Sequence, residues 1–292
     1  MSTQTEDATV EFTRTAPRAG VIGLGMIGGA VAVGLARSGR TPAVYDIRPD
    51  ASAGLAGVPA PATSPAQVAR DSDVVLLAVV DADQARQVLC ADDGVLSAAH
   101  SGLIVVLLST VAVPVVYELA QTCAKKGVAL LDCGVTQAVP NGLVAILGGD
   151  DATVASAMPV LSDFANDVVH CGPLGAGMAT KIARNIITYG TWRAVHEAAM
   201  VVESAGVDPA KLITVVEDAD PGGTTLFSWL RNQLAAEEST REMVPQVRRL
   251  MDKDLAAAQE LASRSAISVP LVDAARANGA ETLAIPQKES HE

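Results

Sequence analysis

The sequence predicts an α/β fold: a mostly parallel sheet covered by helices, then a long helix and an all-α C-terminal part. Three observations carry this. Up to about Leu147, short apolar runs alternate with helical segments, and strands buried on both faces read as continuous apolar runs. After Gly177 the pattern is helical throughout, with no convincing strand. Of the 292 residues 49% are hydrophobic but only 3% aromatic, so the core has to be built from Ala, Val, Leu and Ile.

Gly20–Leu24 reads as a buried strand and Ile27–Ser38 as a helix stopped by Gly39. Pro42–Tyr45 is a second strand, and Ser64–Ala69 a short helix opened by Ser-Pro. Strands follow at Asp73–Val80, Leu103–Leu108, Val128–Asp132 and Val144–Leu147, with helices at Gln84–Leu89 and Val115–Lys126. Beyond them helices are predicted over Met178–Ala205, Pro209–Glu217, Leu226–Leu234, Arg248–Arg264 and Leu271–Ala277. Gly-Pro-Leu-Gly-Ala-Gly at 172–177 breaks the periodicity, so residues 18–172 are expected to form one domain and 173–292 another. Residues 1–17 are polar and lack a signal-peptide core, which predicts a disordered tail.

A net charge of −12 with no basic run argues against nucleic acid, whose binding needs phosphate neutralisation, and against an anionic membrane surface. Ala19–Ala36 is uncharged and long enough to span a bilayer, but its glycines are better explained by a strand, a turn and a helix. Cys90, Cys123, Cys133 and Cys171 form no CxxC pair and are read as reduced, buried thiols of a soluble cytoplasmic protein. His100, His170, His196 and His291 form no metal-ligand pattern, so no metal is expected.

The strongest local signal is Gly23-Leu24-Gly25-Met26-Ile27-Gly28, a GxGxxG between a predicted strand and helix. The first glycine permits a tight turn, the second lets backbone approach a pyrophosphate, and the third lets helix and strand pack closely. Asp46 follows about 20 residues on, at the end of the next strand, where a carboxylate can bind the adenosine ribose hydroxyls of a Rossmann-bound dinucleotide. That carboxylate favours NAD; Arg48 beside it leaves NADP open. On the long helix, Lys181 and Asn185 are spaced i, i+4 and share a face. By spacing alone Lys181 could equally extend to solvent.

The sequence resembles the β-hydroxyacid dehydrogenase family, which includes 3-hydroxyisobutyrate dehydrogenases and tartronate semialdehyde reductases. Four blocks carry the likeness: IGLGMIGGAVAVGLARSG at Ile22–Gly39, LLST at Leu107–Thr110 with Pro114, GPLGAGMATKIARN at Gly172–Asn185, and KDLAAAQELA at Lys253–Ala262. The resemblance implies a nicotinamide-dependent oxidoreductase acting on a small hydroxy acid or semialdehyde, assembled as a homodimer or homotetramer through its all-α part. It implies that Lys181 is the catalytic lysine and Asn185 its partner. Thr110 would lie beside the nicotinamide ribose, Val79, Val80 and Gln84 in a loop lining the cofactor, and Lys253 near cofactor and active site. A positive charge at Lys253 would help lower the proton affinity of Lys181.

The sequence departs from the family where Asp-x-Pro-Val-Ser-Gly-Gly, which grips the substrate carboxylate, is expected. Here Asp132-Cys133-Gly134-Val135-Thr136-Gln137-Ala138 stands instead, and the loop Val139-Pro140-Asn141-Gly142 is shorter than the family's. Thr136 keeps a hydroxyl, while Gln137 and Ala138 replace both glycines. Arg184 replaces the first of two asparagines; it either binds an anionic substrate or faces solvent. Trp192, Phe227 and Trp229 line a larger pocket or, in the safer reading, serve packing. Two alternatives stay open: an imine reductase, whose members carry Asp or Tyr where this chain has Lys181, and a non-catalytic dinucleotide-binding module.

Overall fold

The computed structural model describes residues 16–137 and 142–285. Most of the predicted tail, and residues 138–141, which hold most of the predicted shortened loop, lie outside the described residues. Contacts divide the chain into two units, Met1–Asn185 and Ile186–Glu292, with the division inside the long helix.

The first unit is a seven-stranded sheet in the order β2-β1-β3-β4-β5-β6-β7. Its strands are β1 (Ala19–Ile22), β2 (Ala43–Tyr45), β3 (Val74–Leu77), β4 (Ile104–Leu107), β5 (Ala129–Gln137), β6 (Leu143–Gly148) and β7 (Asp167–His170). All neighbours are parallel except β5 and β6, which run antiparallel from Asp132↔Gly148 to Gln137↔Leu143. Helices α1 (Met26–Arg37) and α5 (Asp151–Leu161) cover one face; α2 (Pro65–Arg70), α3 (Ala82–Cys90) and α4 (Val113–Ala124) cover the other. Each face has its own apolar cluster. Val21, Leu35, Val106 and Leu147 belong to one, and Ile22, Leu77, Leu107 and Met178 to the other. Burying each such side chain is worth about 1.5–3 kcal/mol, so the sheet is the stable platform of the unit.

The stretch Ala19–Ala36, long enough on paper for a span, is split here between β1, a glycine turn and most of α1. No helix among the described residues is long and apolar enough to cross a membrane.

Two elements of this unit were not expected from the sequence. Helix α5 carries Pro159 near its end, which blurs the helical pattern; Asp150 caps its start by accepting the Thr153 N–H at 3.0 Å. Strand β7 has four residues at the sheet edge and is largely exposed, so it lacks the buried apolar run that marked the others.

Helix α6 (Ala176–Ser204) crosses from one unit to the next. The second unit also holds α7 (Pro209–Ala219), α8 (Ser228–Ala235), α9 (Glu238–Arg264), α10 (Pro270–Ala277) and α11 (Gly279–Thr282). Helix α9 starts ten residues before the predicted Arg248 because it runs through Pro245, which reads in a sequence as a helix stop. Glu197 of α6 is 1% exposed and joins α6 to α10. It pairs with Arg193 at 2.7 Å and accepts the backbone N–H of Leu271 and Val272 at the start of α10. That capping across elements satisfies donors the helix start would leave bare.

Two packing expectations are corrected. Cys123 and Cys133 are buried and burial pushes both thiols up to about 12, but Cys90 is exposed and Cys171 half-buried. Trp192 is 66% exposed, stacked edge-on to Tyr189, rather than packed in a core.

Candidate active site

Strands β1 to β4 end level with one another, Ile22 beside Tyr45 and Leu77, and Leu77 beside Leu107. The segments that leave their carboxyl ends therefore meet along one edge: Gly23–Gly28, Asp46–Arg48, Val79–Gln84 and Thr110. Ligands of open parallel sheets bind at this edge.

The three glycines of the first segment do different work. Gly23 has φ +88°, and a Cβ there would lie 2.4 Å from the Ala78 carbonyl oxygen. At Gly28 a Cβ would overlap the Gly23 carbonyl oxygen, so α1 can sit this close to the turn only with glycine. Gly25 has nothing within 4 Å of the Cβ position, so its open side is space a ligand can enter. Gly25 also begins α1, whose start has no side-chain cap and no acidic residue in its first turn. Leu24, Met26 and Ile27 place their backbone in the same turn, and the Met26 side chain is 84% exposed. An uncapped helix start with open glycine backbone suits a pyrophosphate, so these residues fit a dinucleotide.

The Asp46 carboxylate accepts the Leu24 N–H at 2.8 Å and the Arg48 N–H and Nε at 2.9 and 3.0 Å. Burial alone would raise its proton affinity; the hydrogen bonds from Arg48 and Leu24 outweigh this and hold it below the usual carboxylate range. Val79 is half-buried, and its carbonyl accepts the Ser109 hydroxyl at 2.7 Å, which ties the ends of β3 and β4 together. Val80 is 82% exposed, its N–H donating to the Gln84 side chain while the Gln84 N–H donates to Asp81. Gln84 thus ties the loop to the start of α3 through both its backbone and its side chain. Thr110 is exposed at the same edge.

The second cluster is built by β5 and α6. Asp132 and Gly134 both meet α6, and residues two apart on a strand share a face, so Thr136 lies on the same side of β5. Asp132 is fully buried and accepts the N–H groups of Gly175 and Met178, both at 2.6 Å, capping the helix start with both oxygens. A Cβ at Gly134 would lie 2.4 and 2.6 Å from Cβ and Cγ of Lys181, so the lysine stem occupies the space a side chain would fill. Lys181 is 9% exposed, and its Nζ donates to the Val135 carbonyl at 2.7 Å. Burial lowers its proton affinity first, and the like charge of Arg184 lowers it further. The solvent-extended alternative for this lysine is thereby excluded. Asn185 is half-buried one turn on, its side-chain oxygen 3.4 Å from Arg184 Nη1.

Lys253 lies on α9 in the second unit, largely exposed and 3.2 Å from Asp254. Among the described residues no group of three or more His, Cys, Asp or Glu is placed to hold a metal ion. Reasoning from sequence did not single out Asp132, Gly134 and Ser109 as organisers of the site. The available signal was Gly134, since a glycine inside a strand marks a close approach of another segment.

These features define a dinucleotide-binding oxidoreductase of the Rossmann type. Residues 18–172 match the model of the NAD-binding domain of 6-phosphogluconate dehydrogenase. Residues 175–289 match that of the NAD-binding region of NADP-dependent 3-hydroxyisobutyrate dehydrogenase. The chain belongs to the β-hydroxyacid dehydrogenase family. It is 30% identical to 3-hydroxyisobutyrate dehydrogenase of Pseudomonas aeruginosa, over 87% of this chain and 88% of that one. A solved Mycobacterium tuberculosis 3-hydroxyisobutyrate dehydrogenase with L-serine superposes with a TM-score of 0.64 at 25% identity, covering 92% and 95% of the two chains. An imine reductase of Streptomyces aurantiacus shares the fold with a TM-score of 0.75 at 17% identity, covering 92% and 96%.

Proposed function

We propose that this enzyme interconverts a small hydroxy acid and the corresponding aldehyde, with Lys181 as proton donor and acceptor. The observation that carries this is the Lys181 ammonium, sunk against Gly134 and held by the Val135 carbonyl. A bound nicotinamide dinucleotide supplies or takes up the hydride at the carbonyl carbon. In the reductive direction Lys181 gives a proton to the developing alkoxide; in the oxidative direction its neutral amine removes the hydroxyl proton. One of its three donors is committed to Val135, which fixes the side chain and leaves two for the reacting oxygen. Asn185 and Thr136 supply neutral donors beside it.

The dinucleotide would be held by the backbone of Gly23–Gly28 at its phosphates, by Asp46 at the adenosine ribose, and along the Val79, Val80 and Thr110 edge. We assign NAD as the preferred cofactor, because an ionised Asp46 repels a 2′-phosphate. Arg48, paired with Asp46 at 3.0 Å, is the group that would accept NADP by turning away from it. We place the cofactor domain at 18–172 and the helical domain at 173–292, the latter carrying Lys253. The assembly is a homodimer or homotetramer.

The test is turnover of 3-hydroxy acids, semialdehydes, uncharged aldehydes and cyclic imines, followed by nicotinamide absorbance. Lys181→Ala should lower kcat by about 100- to 10,000-fold while leaving dinucleotide affinity intact. Turnover of imines by a Lys181→Ala variant at the wild-type rate would assign the imine reductase chemistry instead.

A further inference from the structure

The face of α6 that meets the sheet does not end at Lys181. Gly177 and Met178 pack on the strands, Lys181 lies on Gly134, and the same sector of the helix continues into Arg184 and Asn185. Strand and helix run in step here. Asp132 meets Gly175 and Met178, and Gly134 meets Lys181. Two strand residues advance about 6.6 Å and four helical residues about 6 Å, so Thr136 comes level with Arg184 and Asn185.

Two facts make Arg184 unusual at this place. A second cation one turn from a buried ammonium is unfavourable in itself, since like charges at this helical spacing repel. An anion between the two would reverse that sign. The second fact is exposure: the Lys181 ammonium is sunk and held by the Val135 carbonyl, while Arg184 one turn on is exposed on α6 and can meet an incoming anion.

We propose that Arg184 is the substrate-anion clamp and specificity determinant of this enzyme, gripping the carboxylate of the hydroxy acid or semialdehyde while Lys181 serves its reacting oxygen. Its planar guanidinium presents two parallel N–H donors that match a carboxylate. Thr136 and Asn185 flank it with neutral hydrogen bonds. The proposal rests on the role given above to Lys181.

The experiment uses the full chain saturated with NAD or NADH, as wild type, Arg184→Gln, Arg184→Lys and Lys181→Ala. Malonic and succinic semialdehyde are compared with propanal and butanal. Binding of 3-hydroxypropionate to the cofactor-loaded protein is measured by calorimetry. Arg184→Gln should lower the ratio of kcat/KM for carboxylated over uncharged aldehydes by at least about tenfold, chiefly through KM, and weaken 3-hydroxypropionate by a similar factor. Arg184→Lys should recover part of both losses, as a point charge replaces a fork. An unchanged ratio in Arg184→Gln overturns the proposal, as does a wild-type enzyme that binds no carboxylate probe. The Lys181→Ala arm is separate: loss of turnover on whichever aldehyde the enzyme accepts upholds the lysine's role whatever Arg184 does, and retained turnover refutes that role alone.

Discussion

Lys181 keeps its ammonium in a place where the protonated form is penalised, by burial first and by Arg184 second. Its proton affinity in the folded chain is below the ordinary 10.5 it regains on unfolding. The unfolded chain therefore binds more protons between those two values, and stability rises with pH across that window. Melting temperatures measured on wild type and Lys181→Met should show this: the alkaline rise belongs to wild type and is absent from the variant. Gly134 makes a second, steric prediction. Gly134→Ala places a methyl on the lysine stem, and overpacking of this kind costs about 1–3 kcal/mol. Activity should fall more than cofactor affinity, because the displaced group is the proton carrier. At this scale the sequence was legible where residue type and local spacing suffice. The roles of Gly23, Gly25 and Gly28 follow from their order alone, and Lys181 and Asn185 from an i, i+4 spacing. The support under Lys181 was not legible, since Gly134 and Val135 lie 46 or more residues away and are brought to it by the β5–α6 packing.

Among the elements, β5 and α6 form the joint on which the site depends. Asp132 supplies two short hydrogen bonds to the start of α6 and is wholly enclosed. Asp132→Asn removes the charge and turns an amide group toward one of the two donors. A loss of roughly 2–3 kcal/mol is expected by urea denaturation, because a buried donor loses its acceptor. Strands β1 to β6 were readable as apolar runs with glycine or acidic punctuation. Helix α5 and strand β7 were not, one because it holds Pro159 and the other because an edge strand has little to bury. Helix α9 was read from Arg248 for a similar reason, since a proline at position 245 masks the part of the helix before Arg248.

Taken as a whole molecule, the chain distributes its core unevenly. In the second unit the buried apolar side chains among the described residues are Ala262, Val269 and Leu283, while Ile186, Trp192, Val215 and Leu234 are more than half exposed. A helical unit that buries so little cannot offset its own ordering entropy. It needs a second surface to cover it, and a second copy of the chain supplies one in the proposed homo-oligomer. Sedimentation should find a dimer or larger species at micromolar concentration, and Trp192→Glu should shift it toward monomer with lowered stability. A wild-type monomer that is stable at this concentration would contradict the assembly. Net charge and composition argue against nucleic-acid binding, but they carry no information on such a face, which is set by which apolar side chains the helices leave outward.

The step-by-step match of β5 with α6 also limits how this protein can change. A strand and a helix pinned at Asp132 and again at Gly134 behave like two rulers clamped at the same marks. One residue inserted between those marks would turn every later side chain of the strand to the opposite face and leave either the helix start or the lysine unsupported. New substrates are therefore reached by editing the helix side chains at Arg184 and Asn185, while the span between the clamps stays the same length.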